Sequence, residues 1–243
     1  MFQSQSYLVP FIKKVEVAKD TYSFYFKRPA EFNFIAGQYN RWTLPMTATD
    51  GRGSSRFFTI SSPPTDKDFL VITTKIIHSD YKKELLKLHE NQEIKIFGPM
   101  GQFFMDEKNP AENVFIAGGI GITPFHSILM NAAETNSSKK LTLFASFSTT
   151  EEMIFFNELT EITKTHPNIN VIYTYTKPEE SQIPWNGEKG RISEKLIKKY
   201  VKDISSSIFY LVGPPPMVEN TQKLLEEMKI ESDHIRTEQF TGY

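Results

Sequence analysis

Three glycines within four positions, Gly118-Gly119-Ile120-Gly121, stand at the end of an unbroken apolar run, Val114-Phe115-Ile116-Ala117, and lead through Ile122-Thr123-Pro124 into a helical pattern. An apolar run without alternation suits a strand buried on both faces. Bare backbone at a strand-to-helix turn lets free N–H groups and the helix dipole meet an anion, and a diphosphate is the natural guest. Thr123 is placed to cap the helix, with Pro124 at its first position. The same glycines also suit a plain tight turn, so the chemistry depends on what the rest of the chain supplies.

A second turn, Gly213-Pro214-Pro215-Pro216-Met217, follows another apolar run at 208–212. Were the two strands neighbours where strand order reverses, both turns would line one crevice; by itself, a proline run equally suits the opening of a helix. Upstream, Arg56-Phe57-Phe58-Thr59 alternates a cation, aromatics and a hydroxyl. On a strand, Arg56 and Phe58 face one way and Phe57 and Thr59 the other. An arginine can hold a phosphate and an aromatic can pack on a flat ring, although an edge strand with a surface arginine reads the same. Ser79, Asp80, Tyr81 and Lys82 open a helix, which is either a simple cap or a second phosphate turn. Near the end of the chain, Glu238 and Phe240 stand two apart on one face of a last strand.

These residues need a scaffold, and the chain supplies two kinds. Residues 8–18, 22–27, 37–44, 56–60, 69–77 and 93–97 read as short strands rich in aromatic and β-branched residues, interrupted by one helix around Tyr81, Leu85 and Leu88. That spacing implies a small antiparallel barrel. After Lys108-Asn109-Pro110 the pattern changes. Strands at 114–117, 141–147, 170–175, 208–212 and 235–240 alternate with helices at 123–134, 151–165, 193–201 and 216–228. Such alternation implies a parallel sheet covered by helices. The face of the 151–165 helix is read as Met153, Phe156, Leu159 and Ile162.

Composition narrows the class. The net charge of −1 over 243 residues gives no basic surface for nucleic acid. Twenty phenylalanines can fill a large core, and the absence of cysteine excludes thiolate catalysis and a cysteine-held iron–sulfur cluster in these residues. No metal site is expected. No run reaches the length of a membrane span and no leader pattern opens the chain, so a cytoplasmic protein is expected.

In this order and spacing, Arg56-Phe57-Phe58-Thr59, Gly98-Pro99-Met100-Gly101, the Gly118 and Gly213 turns and Glu238-Gln239-Phe240 resemble the ferredoxin–NADP reductase superfamily of FAD-dependent reductases, over nearly the whole chain. The resemblance implies an N-terminal antiparallel β-barrel that binds FAD, residues 1–108, and a C-terminal α/β domain with a five-stranded parallel sheet that binds NAD(P)H, residues 109–243. It puts Arg56 on the FAD diphosphate, Phe58 on the flavin with Phe57 beside it in the motif, and Thr59 near the reactive N5. Ser79, Asp80, Tyr81 and Lys82 match the second FAD phosphate turn less closely, and Lys75 is grouped with that site. Gly119, Ile120, Gly121, Thr123 and Pro124 correspond to the dinucleotide turn, and Gly213, Pro214, Pro215 and Met217 to a Cys-Gly-Pro-x-x-Met motif. Two positions depart from the pattern. Val212 stands at the usual Cys, and Ser148 at a position often held by an Arg for the adenosine end. Lys177 and Arg191 remain as cations for a 2′-phosphate, which tilts the expectation toward NADPH with NADH still open. Glu238 and Phe240 match the terminal Glu-x-aromatic, where the ring covers the flavin face that the nicotinamide must reach. Tyr243, beyond it, is counted as a further cofactor contact. Thr59, Glu238 and Phe240 are the catalytic candidates.

The implied activity is that of a flavoprotein oxidoreductase. A hydride passes from NAD(P)H to FAD, then single electrons pass to a separate acceptor such as ferredoxin, flavodoxin or a small molecule. Two other readings stay open: a flavin or ferric reductase acting on small diffusible acceptors, and a non-catalytic flavin-binding redox-sensing subunit.

Overall fold

The structure, a computed structural model, describes residues 2–47, 51–77 and 79–241 of the chain. Six antiparallel strands form the first sheet: β1 (Gln5–Ala18), β2 (Thr21–Lys27), β3 (Tyr39–Thr43), β4 (Ser55–Thr59), β5 (Phe69–Lys75) and β6 (Glu93–Met100), in the order β4-β3-β6-β1-β2-β5. Alternation turns Val9 and Phe11 of β1, and Phe24 and Phe26 of β2, inward onto Trp42, Ile94 and Ile96. The gap between the edge strands β4 and β5 closes just past Thr59. There Ser61 N donates to Val71 O at 2.8 Å and Val71 N to Ser62 Oγ at 3.1 Å. Helix α1 (Asp80–Lys87) packs Tyr81 and Leu85, both wholly buried, into this core. Each such side chain contributes roughly 1.5–3 kcal/mol by its burial. Ser79 holds the cap position of α1 but makes no side-chain capping bond; its backbone carbonyl takes Lys83 N instead.

The second sheet is parallel throughout: β7 (Asn113–Gly118), β8 (Leu141–Phe147), β9 (Ile169–Tyr175), β10 (Glu188–Lys189), β11 (Ile208–Gly213) and β12 (Ile235–Gln239), in the order β10-β9-β8-β7-β11-β12. It has six strands, not the five expected. The additional one, β10, is two residues long and lies inside a connection whose prolines and glycines show no periodicity. Helices α2 (Thr123–Glu134) and α3 (Phe156–Thr165) cover one face, through Phe125, Ile128, Leu129 and Leu159. Helices α4 (Glu194–Tyr200) and α5 (Pro215–Glu227) cover the other, through Leu196, Ile197, Val218 and Leu225. Helix α3 starts later than its pattern implied. Thr150–Glu152 is a short 3-10 turn and Phe155 is left-handed at φ 59, so Met153 is buried outside the helix rather than on its face.

Strand β7 has β8 on one side and β11 on the other, so the order of the strands reverses between β7 and β11 while all stay parallel. That reversal opens a crevice at their carboxyl ends. The barrel packs against this side. Phe103 lies 6.0 Å from Phe125 and 5.6 Å from Tyr210, and a Cβ added to Gly37 (φ +101) would sit 2.3 Å from Phe103 O. That approach is internal to the barrel domain, between the loops that carry Gly37 and Phe103, and only glycine allows it at that φ.

Candidate functional site

A cavity of about 580 Å³ lies where the barrel meets the crevice, a size ordinary for a small-molecule or cofactor site. Its barrel wall comes from β3, β4 and β5 and the start of α1. Its other wall is Ile120 and Thr123 from the glycine turn, with Glu238, Gln239, Phe240 and Thr241 from the end of β12.

Cations gather at one part of the barrel wall. Arg56 Nη1 donates to the carbonyls of Arg52 (2.9 Å), Gly53 (2.9 Å) and Ser55 (2.7 Å), and its guanidinium lies 5.1 Å above the Tyr81 ring. Tyr81 is a fixed floor: it is fully buried, its hydroxyl donates to Trp42 O at 3.2 Å, and burial pushes its phenol well up. Lys82 is buried beside it and donates to Lys75 O at 2.7 Å. Its ammonium is pushed down to about 8, first by burial and then by repulsion from Arg52 and Arg56. A buried cation lowered in this way gains on meeting a polyanion.

Two rings flank that cluster. Phe57 is 64% exposed and meets Tyr39 edge-on at 5.8 Å. Phe58, on the opposite face of β4, lies 5.8 Å from Tyr81 and packs on the barrel core. Thr59 is buried opposite Tyr39 and lines the cavity.

The two glycine turns interlock. A Cβ on Gly121 would sit 2.4 Å from Val212 O, and one on Gly118 would sit 3.1 Å from Pro214 and 3.2 Å from Met217 Sδ. Gly213 packs just as tightly on Gly118. Gly119 is the exception: at φ +53 its Cβ direction meets no atom within 4 Å, so its backbone is open to an approaching group. Thr123 does not cap α2. The chain enters the helix directly from a 3-10 turn, Gly119–Ile122, and Thr123 Oγ1 donates back to Ile120 O at 3.1 Å. Pro124 and Pro215 occupy the first turns of α2 and α5.

Glu238 stands opposite Val212 in register, and burial pushes its carboxyl up to about 6. Phe240 N donates to Gly213 O at 2.9 Å, which carries the pairing one residue past β12 and holds the Phe240 backbone at the cavity edge, with its side chain in the lining.

Among the expected site residues, Arg56, Phe57, Phe58, Thr59, Ser79, Lys82, Ile120, Thr123, Glu238 and Phe240 come together on this one cavity. Gly119, Gly121, Gly213, Pro214, Pro215 and Met217 form the interlocked turns at its edge. Lys75 is elsewhere: its ammonium lies 2.6 Å from Glu152 of the second domain. Asp80 begins α1 away from the lining, and Ser148 stands past the end of β8, its carbonyl accepting from Lys177 N at 2.9 Å. Tyr243 lies outside the described residues. The cavity also uses Tyr39, Arg52, Ser55, Thr73, Thr74, Gln239 and Thr241, which sequence reasoning did not single out. Tyr39 becomes visible only through its pairing with Thr59. Arg52, a cation between Gly51 and Gly53, was the one readable signal among them.

The donor set fits FAD. Clustered cations suit a diphosphate, the exposed Phe57 and the half-buried rings that line the cavity with it suit a flat ring, and the open backbone at Gly119 suits a second dinucleotide.

Comparison with known proteins bears on the nucleotide-binding half and on the fold. Residues 115–223 match the oxidoreductase NAD-binding domain family. The reductase subunit of glycine betaine monooxygenase from Chromohalobacter salexigens is 27% identical over 224 residues, 90% of this chain and 60% of that protein. The electron transfer component of anthranilate 1,2-dioxygenase from Acinetobacter baylyi is 30% identical over 212 residues, 86% and 59% respectively. The chain thus spans about 60% of the length of these relatives. Its fold is shared with a cytochrome P450 reductase from Amycolatopsis, with a TM-score of 0.84 at 20% identity over 98% of this chain and 71% of that one. It is shared also with a ferredoxin NADP+ reductase from Neisseria gonorrhoeae solved with FAD and NADP, with a TM-score of 0.80 at 21% identity over 96% and 98%.

Proposed function

We propose that this chain, a member of the ferredoxin–NADP reductase superfamily, is a flavoprotein reductase that draws reducing equivalents from NADH or NADPH and hands single electrons to a separate acceptor. The observation that carries this reading is the convergence of three elements on one cavity: the Arg52, Arg56 and Lys82 cluster, the aromatic strand β4, and the dinucleotide turn that begins α2. FAD, when bound, supplies the chemistry, accepting a hydride and releasing electrons one at a time. The protein supplies position and electrostatics.

In this reading residues 1–108 hold FAD and residues 109–243 hold the nicotinamide nucleotide. Arg56 and Lys82 take the FAD diphosphate. Phe57 and Phe58 offer rings to the flavin, and Thr59 offers a hydroxyl at its reactive edge. The open backbone of Gly119 admits the nucleotide diphosphate, and Val212, Gly213 and Met217 frame the nicotinamide. Phe240 keeps water from the flavin until the nicotinamide replaces its ring. Glu238 holds a proton in the acid range close to the reacting edge.

The two relatives described above are named as the reductase or electron transfer component of an oxygenase system. A comparable place is proposed here, with the onward carrier outside these 243 residues because no cysteine is present to hold an iron–sulfur cluster. Ferredoxin and flavodoxin are the first acceptors to try. No helix among the described residues is long and apolar enough to cross a membrane, and the proposed site of action is the cytoplasm. The experiment is an acceptor screen with NADH or NADPH as donor. Faster reduction of a ferredoxin or flavodoxin than of free flavin or ferric chelates supports the reading. Preference for the small acceptors would make the chain a flavin or ferric reductase.

A further inference from the structure

We infer that His126 and Ser127 are positioning residues that set the gap between the flavin strand and the dinucleotide turn, an inference that rests on the function proposed above. Hydride transfer demands an approach of about 3–3.5 Å between reacting atoms. In this chain the two reactants would be held by different domains. The joints that tie the domains together beside the cavity therefore set that distance.

Helix α2 grows out of the glycine turn, and Ile120 and Thr123 line the cavity at its start. One turn into the helix, His126 Nδ1 donates to Ser61 O at 2.7 Å and Ser127 Oγ donates to Ser62 O at 2.8 Å. Ser61 lies two residues after Thr59, and His126 three residues after Thr123. The path from the flavin strand to the dinucleotide turn is thus two short backbone segments joined by buried hydrogen bonds. Both sides of the joint are rigid. Ser61 is 1% exposed, its Oγ is 3.1 Å from Val71 O and 3.0 Å from Thr73 Oγ1, and its N–H closes the barrel. The His126 ring stacks on Phe155 at 3.8 Å and 22°, with Nε2 3.1 Å from Glu158 Oε2. That contact holds the Glu158 carboxyl below its ordinary value. Two other ties between the domains, Lys75 to Glu152 and Thr65 to Glu134, use more exposed side chains, where water competes for each partner; the Lys19 N to Glu151 O bond at 3.0 Å and the packing of Phe103 on Phe125 and Tyr210 join no residue of the cavity lining.

The test uses the flavin-loaded protein with His126→Ala, Ser127→Ala and His126→Asn; the asparagine amide can replace the Nδ1 donor. His126→Ala is expected to keep its flavin and to change nucleotide Kd less than about threefold. Its limiting rate of flavin reduction in stopped flow should fall about ten- to hundredfold, the cost of a misplacement near 1 Å. Ser127→Ala should show a smaller loss in the same direction, and His126→Asn should recover most of the rate. In the flavin-free chain, amide hydrogen exchange of residues 57–62 should quicken in His126→Ala and not in His126→Asn. Unchanged limiting rates in both alanine variants with flavin bound would overturn the inference. So would a joint loss of flavin and rate that His126→Asn does not restore. If neither nucleotide reduces the wild-type flavin, the function proposed above fails, and the exchange result alone then decides whether His126 holds the strand.

Discussion

Lys82 offers the sharpest electrostatic prediction. Its ammonium is buried among like charges and titrates near 8 instead of 10.5. Suppose a bound FAD diphosphate restores the ordinary value. At pH 9.5 only about one free site in thirty then carries the proton that binding requires, against about nine in ten at pH 7. FAD affinity is expected to weaken about 25-fold between those two pH values, or about 2 kcal/mol. At pH 8, calorimetry in buffers of different ionisation enthalpy should record uptake of about half a proton per FAD bound. The sign reverses for the stability of the flavin-free chain. With a folded value near 8 and an unfolded value of 10.5, the folded state binds fewer protons in that window. Stability from this group therefore rises as pH climbs from 8 to 10.5. Lys82→Met should bind FAD more weakly at pH 7 and lose the pH slope. A flat wild-type profile, or the same slope persisting in Lys82→Met, would refute the reasoning.

Glu238 should give the rate of flavin reduction an inflection near pH 6 that Glu238→Gln removes, as read by pH-resolved stopped flow; its raised folded value means that its stabilising contribution is complete below 4.5 and lost as pH rises through about 6. Phe240→Ala should tighten nucleotide binding about three- to tenfold by removing the closed state, measured by flavin difference spectra, and unchanged affinity would return Phe240 to a packing role. Glu180 holds the Lys177 ammonium at 2.9 Å, so Glu180→Gln should raise kcat/KM for NADPH relative to NADH about two- to fivefold if that ammonium meets the 2′-phosphate.

What was legible in the sequence was whatever repeats with a period. Helix α2 and strand β8 fall within their expected bounds because a dozen and seven residues, respectively, carry unbroken patterns. The crevice was legible too, since glycine and proline at two strand ends mark where backbone must approach backbone, and β7 and β11 are indeed neighbours. Features without period were hidden. Strand β10 is too short to show alternation, and the late start of α3 depends on one left-handed residue, Phe155. Side-chain commitments across domains were equally invisible. Nothing local reveals that Lys75 turns to Glu152 or that His126 reaches Ser61. Tyr39 joined the site through its strand pairing with Thr59, which exists only in three dimensions, whereas Arg52 between two glycines was open to reading in the sequence.

The central claim is that one cavity brings a nicotinamide nucleotide onto FAD. The direct measurement is anaerobic addition of NADH or NADPH to the purified, flavin-loaded protein while following the visible flavin absorbance. The account predicts bleaching by at least one nucleotide, complete at one equivalent per flavin, and strong slowing in Gly119→Val, whose branch would fill the open backbone that the diphosphate needs. A protein that holds its flavin yet keeps its colour in the presence of both nucleotides would contradict it.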